Sequence, residues 1–97
     1  MPNNEAASSN RAIITVLGSD RPGIVASVTG ELADREANIL DISQTILQGT
    51  FTMTMLVDLG DSVDFSELKG ALDGLSEKLG VQITLQREEV FRFMYRL

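Results

Sequence analysis

The sequence predicts an α+β domain of order strand, helix, strand, strand, helix, strand, and three observations carry that prediction. Residues 11–18 form a short β-branched apolar run, and residues 38–48, 51–59 and 81–86 place apolar residues with a period near two. Two other stretches, 23–35 and 64–79, space their apolar residues at three and four, as helices do. A single tight connection joins the second and third strands, whereas a helix separates each of the other consecutive pairs.

Residues 11–18 (RAIITVLG) are rich in β-branched side chains. Both faces, Ala12, Ile14, Val16 and Ile13, Thr15, Leu17, are largely apolar, the pattern of a central strand covered on both sides. In one sheet backed by helices, the second cover is expected from a partner chain. A turn follows from Ser19 to Gly23. Pro22 lacks an N–H and holds φ near the helical value, which suits the first helical position and puts Asp20 or Arg21 at the cap. Gly23 lets another group approach the backbone closely. Ile24, Val28 and Leu32 give the first helix its buried stripe, with Glu31, Asp34 and Arg35 on the wet side. No glycine follows the last turn of that helix, so Glu36 is expected in the left-handed region at a cost of about 1 kcal/mol.

The second strand divides into Leu40, Ile42, Gln44, Ile46 and Ile39, Asp41, Ser43, Thr45, Leu47, and its polar members predict an edge strand. Gly49 and Thr50 are expected to make the hairpin turn. In the third strand Phe51, Met53, Met55, Val57 and Leu59 point to the core. Asp64 with Glu67 three residues on forms a capping-box-like helix start, and Phe65, Leu68, Ala71, Leu72, Leu75 and Leu79 form the stripe. Gly70 and Gly74 weaken this helix by up to about 1 kcal/mol each unless they permit close packing. Gly80 is the expected C-cap. The fourth strand turns Val81, Ile83 and Leu85 inward. Residues 1–10 (MPNNEAASSN) are polar and aperiodic and read as a disordered tail, leaving 11–97 as one domain. The end of the chain, EEVFRFMYRL, holds Phe91, Phe93 and Tyr95. It is too apolar to stay in water and must be buried on its own domain or on a partner. The whole is the split β-α-β arrangement of ferredoxin-like folds, a four-stranded antiparallel sheet with two helices on one face.

Composition narrows the chemistry. Ninety-seven residues suggest one small domain. The absence of Cys excludes disulfides and thiolate chemistry, and the absence of His removes the commonest general base and metal ligand. Acid–base and zinc chemistry are therefore not expected, and no catalytic residue, metal ligand or cofactor is assigned. The net charge of −6 argues against nucleic acid and anionic membrane surfaces. No apolar run reaches the roughly 18–20 residues of a membrane span, and the N-terminus lacks signal-peptide features, so a cytoplasmic location is expected.

The run R-A-I-I-T-V-L-G-S-D-R-P-G-I-V-A followed by A-N-I, with D-I-S-Q-T, F-T-M, D-F-S-E-L and a final F-x-x-M-Y-x-L, resembles the ACT domain, a small amino-acid-sensing module. Within that family the chain looks like the stand-alone bacterial and archaeal proteins related to the regulator of the glycine cleavage system. The resemblance spans about residues 11–97. It implies a regulatory, non-catalytic function, with a small amino acid or related metabolite held between paired domains. Carried over position by position, it implies ligand-binding roles for Asp20, Pro22, Gly23 and Ile24 in the first turn and for Asn38 and Ile39 in the second strand. It also implies a homodimer paired through the second, edge strands. The chain departs from the family at Glu36, where Gly is common, and at Asp20, where a neutral amide is common. The competing reading is an interaction module that dimerises, docks a partner through its C-terminal aromatic segment and binds no amino acid.

Overall fold

Two strands, each with a fully buried apolar face, make the middle of the sheet. In the computed structural model, which describes residues 10–94, β1 (Arg11–Ser19) and β3 (Thr50–Asp58) pair antiparallel at the centre. β2 (Asn38–Leu47) lies outside β3 and β4 (Gln82–Arg87) outside β1, giving the order β2-β3-β1-β4. Helices α1 (Ile24–Asp34) and α2 (Phe65–Leu79) cover one face, so the ferredoxin-like architecture is the one expected. The residues read as the tail lie outside the described residues except Asn10, which is bonded into the domain. Its carbonyl accepts from the Leu59 N–H at 3.0 Å.

The core sits between sheet and helices. Ile14 stands opposite Met55 on one side and Leu85 on the other, and Ile24, Val28, Leu32, Leu68 and Leu72 close over them. The alternation expected for the third strand holds: Phe51, Met53, Met55, Val57 and Leu59 are all buried. α2 begins as expected, with the Asp64 carboxylate accepting from the N–H groups of Ser66 (2.8 Å) and Glu67 (3.2 Å), and it ends at Gly80. Gly70 and Gly74 are exposed, and a Cβ on either meets nothing within 4 Å, so neither serves close packing. Gly70→Ala and Gly74→Ala should each raise stability by about 0.5–1 kcal/mol in urea unfolding.

Three local expectations are corrected. Pro22 is not the first helical residue, and neither Asp20 nor Arg21 caps α1. Gly23 is the cap residue, with φ 93° and ψ −9° and no side-chain hydrogen bond. Pro before a glycine of positive φ makes a type II turn, and that geometry delays the helix to Ile24. The hairpin turn is Gln48–Gly49 rather than Gly49–Thr50. Both residues have positive φ (51° and 82°), the two-residue turn that matches strand twist. Finally, β2 carries a bulge between Ile39 and Asp41. The extra residue, Leu40, shifts the alternation. Ile39 therefore stands opposite Val57 on the helix side together with Ile42, Gln44 and Ile46, not with Asp41, Ser43, Thr45 and Leu47. Glu36 does adopt the left-handed conformation, at φ 64°.

The face away from α1 and α2 is open over most of its length. Ser43, Thr54, Thr15 and Thr84 form one row across it. At the end near Arg11, the chain leaves β4 as a short helix, α3 (Glu88–Met94), and packs against β1 and β4. Glu88 accepts from the Arg11 guanidinium at 2.8 and 2.7 Å and from Arg92 at 2.9 Å. The Gln86 amide meets the Met94 sulfur at 3.5 Å. So the chain's own C-terminal segment supplies part of the second cover expected from a partner, and Ile13 beneath it is buried.

The paired guanidinium of Arg11, offset in part by burial, holds the Glu88 carboxyl below its ordinary range. A carboxyl depressed on folding contributes stability that is present above its unfolded pKa and lost as pH falls through its folded pKa. The α3 amides should therefore lose hydrogen-exchange protection on acidification. In Glu88→Gln that protection should be low at neutral pH already and nearly independent of pH.

Candidate functional site

The first turn is held from two sides. The Asp20 N–H donates to the Gly49 carbonyl at 2.9 Å, tying the turn to the β2–β3 hairpin. Arg21 donates from Nη1 to the Leu79 carbonyl at 2.8 Å, placing a cation on the C-terminal end of α2, where the helix dipole favours it. Sequence reading missed this role, because only the fold brings residues 21 and 79 together. Ile24 anchors the start of α1 in the core at 1% exposure. Its side chain is unreachable from solvent, so only its backbone N–H can face a ligand.

The two helix starts differ. α2 has a capping carboxylate and Glu67 in its first turn. α1 has neither a side-chain cap nor an acidic residue there. The first N–H groups of a helix have no intrahelical partner, and they favour an anion. Gly23 is exposed, and the space where its Cβ would stand is empty. Asp20 is exposed beside it, and among the described residues its carboxylate has no hydrogen-bond or ion-pair partner. Asp20, Pro22, Gly23 and the Ile24 backbone thus form one accessible cluster.

Asn38 and Ile39 are not part of that cluster within one chain. Asn38 stands opposite Asp58, which stands opposite Arg11 at the start of β1. The turn follows Ser19 at the end of β1, eight residues or roughly 25 Å away along the strand. β1 and β2 run in the same direction, because each is antiparallel to β3. Asn38 is exposed and Ile39 half-buried against the core. A separate shallow groove is lined by Ile13, Asp41, Ile42, Ser43, Thr54 and Leu56, and it includes none of the six residues expected to bind ligand. Among the described residues, no three His, Cys, Asp or Glu side chains gather where a metal could bind, and no helix is long and apolar enough to cross a membrane.

The chain thus combines a split β-α-β sheet with an uncapped first helix behind a D-R-P-G turn. Comparison with known proteins gives the family: the ACT-domain model matches residues 10–86, and the chain belongs to the ACT-domain family. A UPF0237 protein of Methanocaldococcus jannaschii is 48% identical over 89 residues, covering 91% of this chain and 99% of that protein. The solved ACT domain protein from Streptococcus pneumoniae superposes with a TM-score of 0.74 at 42% identity, covering 84% of this chain and 92% of that one. The regulatory subunit of aspartate kinase from Thermus thermophilus superposes at 0.64 and 28% identity, over 82% of this chain and 52% of that one.

Proposed function

We propose that this chain is a non-catalytic cytoplasmic regulatory domain that binds a small amino acid, or a related metabolite, between two copies paired through their β2 edges. The observation that carries this reading is the open start of α1 beside Asp20, whose carboxylate has no partner among the described residues. The N–H groups of Gly23, Ile24 and Val25 suit a carboxylate, and the Asp20 carboxylate suits an α-ammonium. Antiparallel pairing of two β2 strands about a two-fold axis reverses one of them. It carries the partner copy's Asn38 and Ile39 towards the turn end of the sheet, which a single chain does not do. β2 suits that pairing, being an edge strand exposed nearly throughout, with Leu40, Ile42, Ile46 and Leu47 bare to solvent. Similarity to a kinase's regulatory subunit supports the regulatory class.

Titration calorimetry with amino acids tests the site. Binding should be present in the natural chain, weakened at least tenfold in Asn38→Ala and lost in Asp20→Ala, with unfolding midpoints unchanged. Equal affinity in all three chains contradicts the proposed roles. The interaction-module reading retains one favourable observation, the exposed Val90, Phe93 and Met94 on α3. It predicts no heat with any amino acid.

A further inference from the structure

We propose that Arg21 is the positioning residue of the candidate site, a role that rests on the reading of the first turn as the place where ligand binds. Its bond to the end of α2 fixes the turn in the shape that leaves both the N–H groups at the start of α1 and the Asp20 carboxylate open.

The turn lies beyond the sheet, where ladder pairing no longer holds it. β1 pairs with β3 as far as Ser19–Thr50 and with β4 as far as Leu17–Gln82. Past those pairs the chain stays beside both neighbours through single contacts. On the β3 side the Asp20 N–H reaches the Gly49 carbonyl at 2.9 Å. On the β4 side Gly18 lies so close to Val81 that a Cβ would stand 2.6 Å from its Cγ1. Arg21 completes that side, donating from Nη1 to the Leu79 carbonyl at 2.8 Å. Among the described residues this is the only side-chain hydrogen bond made by residues 19–23. Arg21 also directly precedes Pro22 and Gly23, so fixing it aims the type II turn that they form.

The acceptor suits the task. Leu79 is the last residue of α2, and the last four carbonyls of a helix have no partner within it. The Ser76 carbonyl takes the Gly80 and Val81 N–H groups, and the Leu79 carbonyl takes Arg21. The guanidinium lies against Gly80, where a Cβ would stand 3.7 Å from Nη1. Charge adds a second reason. The chain carries −6, yet among the described residues Arg21 forms no ion pair, not even with Asp20 beside it. Its cation sits on the negative end of α2 instead. That direction leaves Asp20 available for an ammonium group, for which a released Arg21 side chain would compete.

Hydrogen exchange without ligand, and calorimetry with glycine and with serine, test the role. Arg21→Met keeps an aliphatic stem and removes the donors, whereas Arg21→Lys keeps a donor and the charge. In Arg21→Met the Asp20 and Ser27 amides, bonded in the natural chain to the Gly49 and Gly23 carbonyls, should exchange close to the rate of unprotected amides. Exchange at Leu72 on α2 and the circular dichroism spectrum should not change. Affinity for glycine or serine should fall by the factor by which the closed turn is depleted, about threefold or more, and Arg21→Lys should restore most of it. Equal exchange at Asp20 and Ser27 in all three chains overturns the proposal, whatever the affinities do. Lost affinity with unaltered exchange would make Arg21 a ligand contact, and faster exchange with full affinity would make it a structural tie alone; both overturn the positioning role. Absence of heat from either amino acid in the natural chain counts against the amino-acid reading, and the exchange comparison still decides whether Arg21 holds the turn.

Discussion

Ile24→Ala is expected to destabilise the domain by about 2–5 kcal/mol, the usual cost of truncating a fully buried isoleucine. For a domain of this size that lowers Tm by at least about 10 °C. Ile24 is the first residue of α1 and is packed in the core with Val28 and Leu32. Its loss removes the contact that fixes where the helix begins. Hydrogen exchange at Gly23, Ile24 and Val25 should then accelerate more than exchange along α2. Val28→Ala provides the comparison: a similar loss of global stability, with the first turn less disturbed. A cost for Ile24→Ala below about 1 kcal/mol in denaturant unfolding contradicts the anchoring role.

Gly18→Ala is the second substitution with a large expected effect. A Cβ at Gly18 would stand 2.6 Å from Val81 Cγ1, 2.9 Å from Val81 Cβ and 3.3 Å from Val81 Cα. A flexible side-chain tip could move aside, but here part of the obstacle is backbone, at the point where α2 passes into β4. Overpacking of this kind costs about 1–3 kcal/mol. The double variant Gly18→Ala, Val81→Ala should recover part of that loss, because the nearest clashing atom is gone. The recovery should fall short of the natural chain, because Val81 is itself a buried core residue. Strict additivity of the two single costs in a double-mutant cycle would show that the side chains do not meet.

Most of the architecture was legible because it rests on periodicity. Alternation in β3 and the four-residue spacing of Ile24, Val28 and Leu32 are local properties, and the fold uses both as written. The start of α2 was legible for the same reason: Asp64 and Glu67 lie within one turn of each other. The start of α1 was not. Pro22 satisfies both a helix's first position and the second position of a type II turn, and only the positive φ of Gly23 decides between them. The bulge at Leu40 left no signature either, since Ile39 and Leu40 are both apolar and suit either face. For the candidate site, Asp20, Pro22, Gly23 and Ile24 are neighbours in the chain, so their proximity was legible. The separation of Asn38 and Ile39 from them follows from β1 and β2 running in the same direction, a consequence of topology rather than of spacing. The Arg21 contact with Leu79 and the Arg11–Glu88 pair join residues 58 and 77 positions apart, beyond any local pattern.

The measurement that tests the central claim most directly is thermal unfolding of the natural chain against each of the twenty amino acids at millimolar concentration. A ligand at 100 times its dissociation constant adds about 2.7 kcal/mol to stability. The account predicts a rise of several degrees with one or a few small amino acids, glycine and serine first among them, abolished in Asp20→Ala. An unchanged midpoint with all twenty would contradict amino-acid sensing and leave the D-R-P-G turn a structural element alone.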